Sequence, residues 1–541
     1  MNFVDNFRQN FLRRAHRHIN NVKIFLLALK VASSAKPDPD KKPILFFKAS
    51  SGIDDLSWNS AFQLLTSWGL RLRGVPVRFF ACSSGMDLCV LGTDRDDPAK
   101  NPPCPTCVYQ SRTLYTGAPV TWFHFKADPN LDKALEKSDL NELIRFEYAG
   151  APLGPLVLPG ARWILRRHNL LDNPQTRLLF RRYIRSAYSL ILEFEKELDR
   201  QTPHAVVVFN GQFYPEAAVK WAARKHGIKV ITHEVGLRPM TGFFTEGEST
   251  AYPIEIPSDF QLDQRQNALM DAYLAKRFQG DFSMGGVRFW QEIKGFDRAL
   301  EAKIAKFNKL VPVFTNVVFD TSQPHANTLF TDMFAWLEEV IALAAQTPDT
   351  LFVLRAHPDE TRIRKTSLET VENWVITNKV IDLPNVHFIP PNEFISSYEL
   401  IQRSNFVLIY NSTIGMEAVL MDKYVLCAGK ARFTQLPIVE FPATKAEYID
   451  ILRQRLSGVI PEVRAENIQN ARKFLFYQLF RSSLPFEHLN PSIRGTHASI
   501  EMFDVNSLRE DKTISIIYKG LFEGGDFLRY EDSDSINDYR L

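Results

Sequence analysis

Hydrophobic positions along the chain fall into short apolar runs separated by amphipathic stretches of helical spacing, and this alternation occurs as two successive series. The first series opens with Lys42-Pro-Ile-Leu-Phe-Phe-Lys-Ala49, which stops at the polar turn Ser50-Ser-Gly-Ile-Asp-Asp55. An amphipathic stretch over 57–72 follows, closed by Gly74, and then a second run, Val75-Pro-Val-Arg-Phe-Phe-Ala81. Strand, helix and strand in that order form the building block of a doubly wound sheet. The unit recurs as Ala205-Val-Val-Val-Phe209, a helix over 215–226 and Ile228-Lys-Val-Ile-Thr232. Gly227 sits where a helix end favours a left-handed residue. Between these units, 163–200 reads as helical with one break near Pro174.

The second series begins at Val311-Pro-Val-Phe-Thr-Asn-Val-Val318 and a helix over 328–347. Next come Leu351-Phe-Val-Leu-Arg-Ala-His-Pro-Asp-Glu360, a helix over 367–378, the short strand Val386-His-Phe388 and a helix over 394–403. Phe406-Val-Leu-Ile-Tyr-Asn-Ser-Thr413, a helix over 415–421, Tyr424-Val-Leu-Cys427 and helices over 446–456 and 466–480 complete it. The expected fold is α/β, with a first Rossmann-like domain over 44–260 and a second over 311–484. A polar helical connection over 261–310 joins them, and 485–541 is too weakly patterned to be given a core role.

Residues 1–43 form a separate expectation, a basic amphipathic helix and a linker. Phe3, Phe7, Phe11, Ile19, Val22, Leu26 and Leu29 recur at helical spacing, and Arg8, Arg13, Arg14, Arg17, Lys23 and Lys30 crowd the same segment. Such a helix either docks on the protein's own body or lies on an anionic membrane surface. No run reaches the roughly 20 apolar residues needed to cross a bilayer. The default expectation is therefore a cytoplasmic protein, with peripheral contact at the inner membrane as the alternative. Over 541 residues the formal charge is only +3, which gives no nucleic-acid signature. A basic stretch from Arg162 to Arg185, interleaved with Trp163, Phe180 and Tyr183, reads as a solvated or anion-facing helix surface rather than an RNA contact.

Candidate chemistry lies at the ends of the apolar runs, because ligands of open α/β sheets bind at the carboxyl ends of strands. Arg355-Ala-His357-Pro358 ends one run, and a histidine there can donate to a phosphate oxygen. Asn411-Ser412-Thr413 stands between another run and a helix, where hydroxyls either cap the helix or help bind an anion. Glu417, inside that helix, can receive ribose hydroxyls or form a salt bridge. Together these residues suggest one phosphate site. In the first series, Thr232-His233-Glu234-Val-Gly236 puts a carboxylate after a strand, suited to a general base, and Asp54 and Asp55 compete for the same role. Cys82, Cys89, Cys104 and Cys107, four of the five cysteines, fall in one Asp- and Pro-rich segment. That set can supply four thiolates to a structural zinc, with an iron–sulfur cluster, disulfides (disfavoured in a cytosolic protein) or unpaired thiols as the alternatives.

These residues resemble the bacterial capsule polysaccharide biosynthesis proteins, a glycosyltransferase group with the two-Rossmann GT-B fold that includes Kdo transferases using a CMP-sugar. The resemblance is strongest over 311–480, through Thr315-Asn-Val-Val-Phe-Asp-Thr321, Arg355-Ala-His-Pro, Asn411-Ser-Thr-Ile-Gly-Met-Glu-Ala and Phe441-Pro-Ala-Thr-Lys-Ala-Glu-Tyr448. It implies two domains facing a cleft, with the N-terminal helix and the cysteine segment as additions. It further implies a nucleotide-sugar donor held at His357, Ser412 and Thr413, and a saccharide or lipid-linked acceptor. No catalytic cofactor and no nucleic-acid partner are expected. Related CMP-sugar transferases carry an acidic pair before a glycine; here only the first acid is present, as Glu234-Val-Gly236. A CDP-glycerol-type glycerophosphotransferase, a sugar-nucleotide epimerase and a catalytically degenerate assembly module are the competing readings of the same motifs.

Overall fold

The computed structural model describes residues 3–50, 52, 55–279, 283–284, 287–288, 295–362, 366–492 and 497–530. The first sheet contains β1 (Ile44–Lys48), β2 (Val77–Cys82), β3 (Val120–Phe123), β4 (Ala205–Phe209), β5 (Lys229–Val235) and β6 (Thr241–Thr245). A small antiparallel ribbon, β7 (Ser283–Met284) and β8 (Val287–Arg288), precedes the second sheet. That sheet is built from β9 (Lys309–Phe314), β10 (Thr350–Arg355), β11 (Val386–Ile389), β12 (Val407–Ile409) and β13 (Val425–Cys427). The chain then returns, and β14 (Leu484–Pro485) pairs with β6 at the edge of the first sheet.

The sheet orders are β14-β6-β5-β4-β1-β2-β3 and β11-β10-β9-β12-β13. Each parallel core has its first strand in the middle, with two strands leading off on either side. This is the doubly wound arrangement, and it opens a crevice where the order reverses, between β1 and β4 and between β9 and β12. The expected pair of Rossmann-type units is therefore what the chain builds. β1 and β10 are buried along their whole length, which explains why they read as continuous apolar runs rather than alternating ones.

Helices cover both faces of the first sheet. Phe46, Trp68 and Ile514 lie in one core layer, and Phe47, Phe80 and Phe194 in the other. The helix Trp58–Leu72 starts where the Ser57 side chain accepts from the Ser60 N–H, satisfying one of its otherwise unpaired donors. The helical stretch expected over 163–200 is two helices, Leu153–Leu165 and Pro174–Gln201, separated near Pro174 as read.

Several expectations need correction. The segment beyond 485, read as a tail without a core role, belongs to the first unit. Its helix Lys512–Phe522 buries Ile514, Ile517 and Leu521 in the same core as Trp68. The spacing there was readable as a helix, but its partner lies more than 400 residues earlier in the sequence. The strand begun at Val311 ends at Phe314, and the helix expected over 328–347 is Met333–Ala344, because Asp332 accepts from the Phe334 and Ala335 N–H groups and sets its start. In the helix Phe3–Ser34, Ile24, Leu27, Ala28 and Val31 are buried, so the helix docks on the body. Phe3, Phe7 and Phe11 have side chains outside the described set.

Candidate functional site

A cavity of about 660 Å³ lies between the two units. That volume suits a small-molecule ligand, for which about 300–1,000 Å³ is usual. The second unit lines it with residues that follow the carboxyl ends of β9, β10, β12 and β13. The first unit contributes Trp163 and the loop after β6, including Glu248 and Thr250. The two sides are tied together by His325, whose Nε2 is 2.9 Å from the Thr250 hydroxyl and 3.1 Å from Gln212 Nε2.

Arg355, His357, Asn411, Ser412, Thr413 and Glu417, widely separated in the sequence, all line this one cavity. His357 directly follows β10 and opens the short turn Pro358–Thr361. The Asp359 N–H donates to His357 Nδ1 at 3.1 Å. That bond makes Nδ1 the acceptor, so the neutral ring carries its proton on Nε2. Burial holds the imidazole below its ordinary value and Arg355 adds to this, against the opposing pull of Asp359 and Asp320. Arg355 is fixed behind it by Ser397 Oγ at 3.2 Å and the Glu393 carbonyl at 3.1 Å.

The 411–413 turn follows β12. Asn316 Nδ2 donates to Asn411 Oδ1 at 2.7 Å, which locks the loop after β9 to the loop after β12 across the crevice. Thr413 occupies the N-cap position of the helix Ile414–Leu420, but its side chain makes no capping bond. Plain capping therefore does not account for this hydroxyl. Gly415 lets the turn pack closely on β12: a Cβ there would meet Ile409 Cδ1 at 2.3 Å, and the buried Ile409 side chain would have to shift. Lys430 and Arg432, on the loop after β13, bring two cations that the sequence reading missed. Gly429-Lys430 directly after an apolar strand was the available signal. Arg432 also lies 4.2 Å from the centroid of the Tyr252 ring, a cation–π contact reaching across to the loop after β6.

Glu417 corrects one expectation. Its Oε1 accepts from Arg277 Nη2 at 2.6 Å and its Oε2 from the Tyr398 hydroxyl at 2.5 Å. One oxygen is thus held in a buried ion pair and the other by a tyrosine hydroxyl, so the salt-bridge alternative, not ribose binding, describes this residue.

Glu234 lies in β5 and is half buried. The amides of Asn210 and Asn59 donate to its carboxylate at 3.0 and 3.4 Å, and the Val235 N–H donates at 2.8 Å. Asn210 reaches it from a tight turn after β4, where Asn210 and Gly211 both adopt positive φ, at 57° and 76°. Asparagine and glycine are the residues that tolerate this conformation. Burial raises the Glu234 carboxyl above its ordinary value, the three donors oppose the shift, and Asp320 across the crevice reinforces it. Glu234 does not itself line the cavity; Asp320 does.

Asp55, the competing base, is a second correction. Its carboxylate faces His16 at 3.3 Å, Asn20 at 3.4 Å and Ser492 at 3.4 Å, and so holds the N-terminal helix and the returning chain together rather than facing the crevice. Asp54 lies outside the described residues.

Cys82, Cys89, Cys104 and Cys107 gather at one small cavity next to Ser50. Gly85 N–H donates to Cys82 Sγ and Gly92 N–H to Cys89 Sγ, each at 3.2 Å. Cys104 begins the helix Cys104–Leu114. As placed, no group of three or more His, Cys, Asp or Glu side chains among the described residues could hold a metal ion.

Glu360, two residues past the His-Pro, is fully buried against the Val371 N–H, and burial pushes its carboxyl up to about 8. With the folded value raised, the stability contributed by protonated Glu360 is complete below the ordinary carboxylate range and is lost as pH rises toward about 8. Glu360→Gln is expected to remove that loss. Thermal melts of variant and wild type should diverge as pH rises from about 5 to about 8, with the variant the more stable at the upper end. Parallel curves would reject the assignment.

Residues 287–438 match the family model described as capsule polysaccharide biosynthesis protein. Protein FixF of Sinorhizobium fredii (strain NBRC 101917 / NGR234) is 29% identical over 269 residues, 47% of this chain and 58% of that protein. The chain thus spans little more than half the length of this curated relative. Among solved structures, the beta Kdo 2,4 transferase of Thermosulfurimonas dismutans KpsC has a TM-score of 0.34 at 12% identity, covering 57% of this chain and 87% of that one. The UDP-GlcNAc 2-epimerase from Neisseria meningitidis bound to UDP-GlcNAc has a TM-score of 0.23 at 14% identity, covering 81% and 99%. These scores are too low for either structure to bear on individual residues. The family match spans β9 to β13 and includes every cavity-lining motif residue from Arg355 to Glu417. Over that segment the chain has the resemblance its motifs led one to expect, to the capsule polysaccharide biosynthesis proteins.

Proposed function

We propose that the chain is a glycosyltransferase of surface polysaccharide or glycolipid synthesis, passing a sugar from a nucleotide-sugar donor to a saccharide or lipid-linked acceptor. The observation that carries this reading is the convergence of His357 and the 411–413 turn on one cavity at the strand ends of a doubly wound sheet. The donor phosphate is met by the Nε2–H of His357, the hydroxyls of Ser412 and Thr413, and the cations Lys430 and Arg432. An acceptor hydroxyl enters from the first unit and gives its proton to Glu234 as its oxygen bonds to the sugar. The sugar–phosphate bond breaks, and the leaving nucleotide keeps the bonding pair. Preorganised donors then stabilise the charge that develops on it. Closure between the two sheets limits hydrolysis of the donor by water.

Titration calorimetry with CMP-, UDP-, GDP- and CDP-linked compounds tests the site. One class is expected to bind, and His357→Ala is expected to weaken it roughly 10- to 100-fold, the worth of one hydrogen bond to a charged group. Unchanged affinity in the variant, or no binding across the panel, would remove the cavity as a donor site.

A structural zinc at the four cysteines is a separate part of this proposal, supported by their gathering at one cavity and by the two N–H···S bonds. Binding would draw the sulfurs closer together than they stand here. Stoichiometric zinc in purified protein, lost in a Cys104→Ser/Cys107→Ser double variant, is the expected result; metal-free wild type dismisses it.

A further inference from the structure

The N-terminal helix buries one face and leaves the opposite face apolar. Ile24, Leu27, Ala28 and Val31 point into the core, while Leu12, Ile19, Val22, Phe25, Leu26 and Leu29 are each 44–56% exposed. At 100° per residue the exposed set forms one continuous stripe, opposite the buried one. Basic side chains border it, Arg14 along one side and Lys23 and Lys30 along the other, while His18 lies within it between Phe25 and Leu29. From residue 6 to residue 34 the helix contains no Asp or Glu.

The helix is held rigidly in place. Asn20 Nδ2 donates to the Ala498 carbonyl at 3.0 Å and its Oδ1 accepts from the Ile500 N–H at 2.9 Å. Asn21 and Gln110 exchange two bonds of 2.9 and 2.8 Å. Two buried asparagines thus fix the rotation of the helix and turn the apolar stripe outward. An exposed contiguous apolar strip on a well-anchored helix marks an interaction surface.

We infer that this stripe is a docking surface for an anionic lipid bilayer, on which the whole body rests through a preformed helix lying in the interface plane. Charge selects the occupant. Leu12, Ala15, Ile19, Val22, Leu26 and Leu29 also follow a three-four spacing that could seat a second copy of the helix. Such pairing would bring basic borders against basic borders with no acid to offset them. An anionic surface matches both the apolar stripe and its borders. No helix among the described residues is long and apolar enough to cross a membrane, so the contact lies on the surface. This inference stands independently of which reaction the cavity supports.

Sedimentation of the full chain with vesicles tests it, using phosphatidylcholine alone and an equal mixture of phosphatidylcholine and phosphatidylglycerol. Binding is expected to the mixed vesicles only and should weaken with salt. Ile19→Gln/Leu26→Gln and, separately, Arg14→Glu/Lys30→Glu are each expected to lower it by about tenfold or more, the effect of removing about 1.4 kcal/mol. All four side chains are exposed, so an unchanged melting temperature is expected to accompany the loss. Vesicle binding that both variants retain would overturn the assignment. So would a wild type that ignores vesicles but forms a dimer in the ultracentrifuge that Ile19→Gln/Leu26→Gln disrupts, since the stripe would then be a seam between two copies.

Discussion

Glu234→Gln is expected to lower turnover by about 10²- to 10⁴-fold, the usual contribution of a positioned general base, while donor affinity stays at the wild-type value. The substitution keeps the size of the side chain and removes only its capacity to take a proton. Asn210 and Asn59 hold the wild-type carboxylate at the end of β5. Burial raises its proton affinity, which brings a carboxylate closer to the working range of a base near neutrality. The sign of the pH dependence follows. Transfer requires ionised Glu234, so the rate climbs with pH through a value above the ordinary carboxylate range and then levels off. Steady-state turnover against pH, paired with calorimetric donor affinity, checks both parts. A Glu234→Gln enzyme with near-normal turnover would remove Glu234 as the base.

The largest effect on stability is expected at Glu417. The Arg277 and Glu417 side chains are only 6% and 3% exposed, and their 2.6 Å contact neutralises two charges withdrawn from water. Glu417→Ala removes the carboxylate that pairs with this buried guanidinium, and breaking a buried ion pair from one side costs about 3–5 kcal/mol. Tyr398→Phe removes one bond to the same carboxylate and should cost less, about 1–3 kcal/mol. Urea denaturation of the two variants measures the difference. Arg277 belongs to the helix Gln264–Phe278 and Glu417 to the helix Ile414–Leu420, so the pair fastens the interdomain connection to the floor of the cavity. Were Glu417 a ribose ligand instead, Glu417→Ala would weaken donor binding while leaving the denaturation midpoint near that of wild type.

Sequence patterning located the central strands because strands covered on both faces must be apolar along their length, as Ile44-Leu-Phe-Phe-Lys48 and Thr350-Leu-Phe-Val-Leu-Arg355 are. It missed β3, at the edge of the first sheet and of mixed exposure, and β6, a glycine-containing strand that lies antiparallel between β5 and β14. The His-Pro and Asn-Ser-Thr motifs were legible because they interrupt apolar runs where a sheet places its ligands. Lys430, Arg432 and Asp320 were not, because loop residues have no periodicity and their convergence depends on tertiary contacts. Asp55 and Glu417 were misread for a related reason. A carboxylate after a strand or within a helix looks the same in sequence whether it faces a ligand or a buried partner contributed from elsewhere in the chain.

Mass spectrometry of a saccharide acceptor incubated with the chain and the nucleotide sugar it binds tests the transferase reading most directly. The acceptor is expected to gain the mass of one sugar residue, with an equal amount of nucleotide released. Nucleotide released without acceptor growth, or a sugar altered while still attached to its nucleotide, would contradict it.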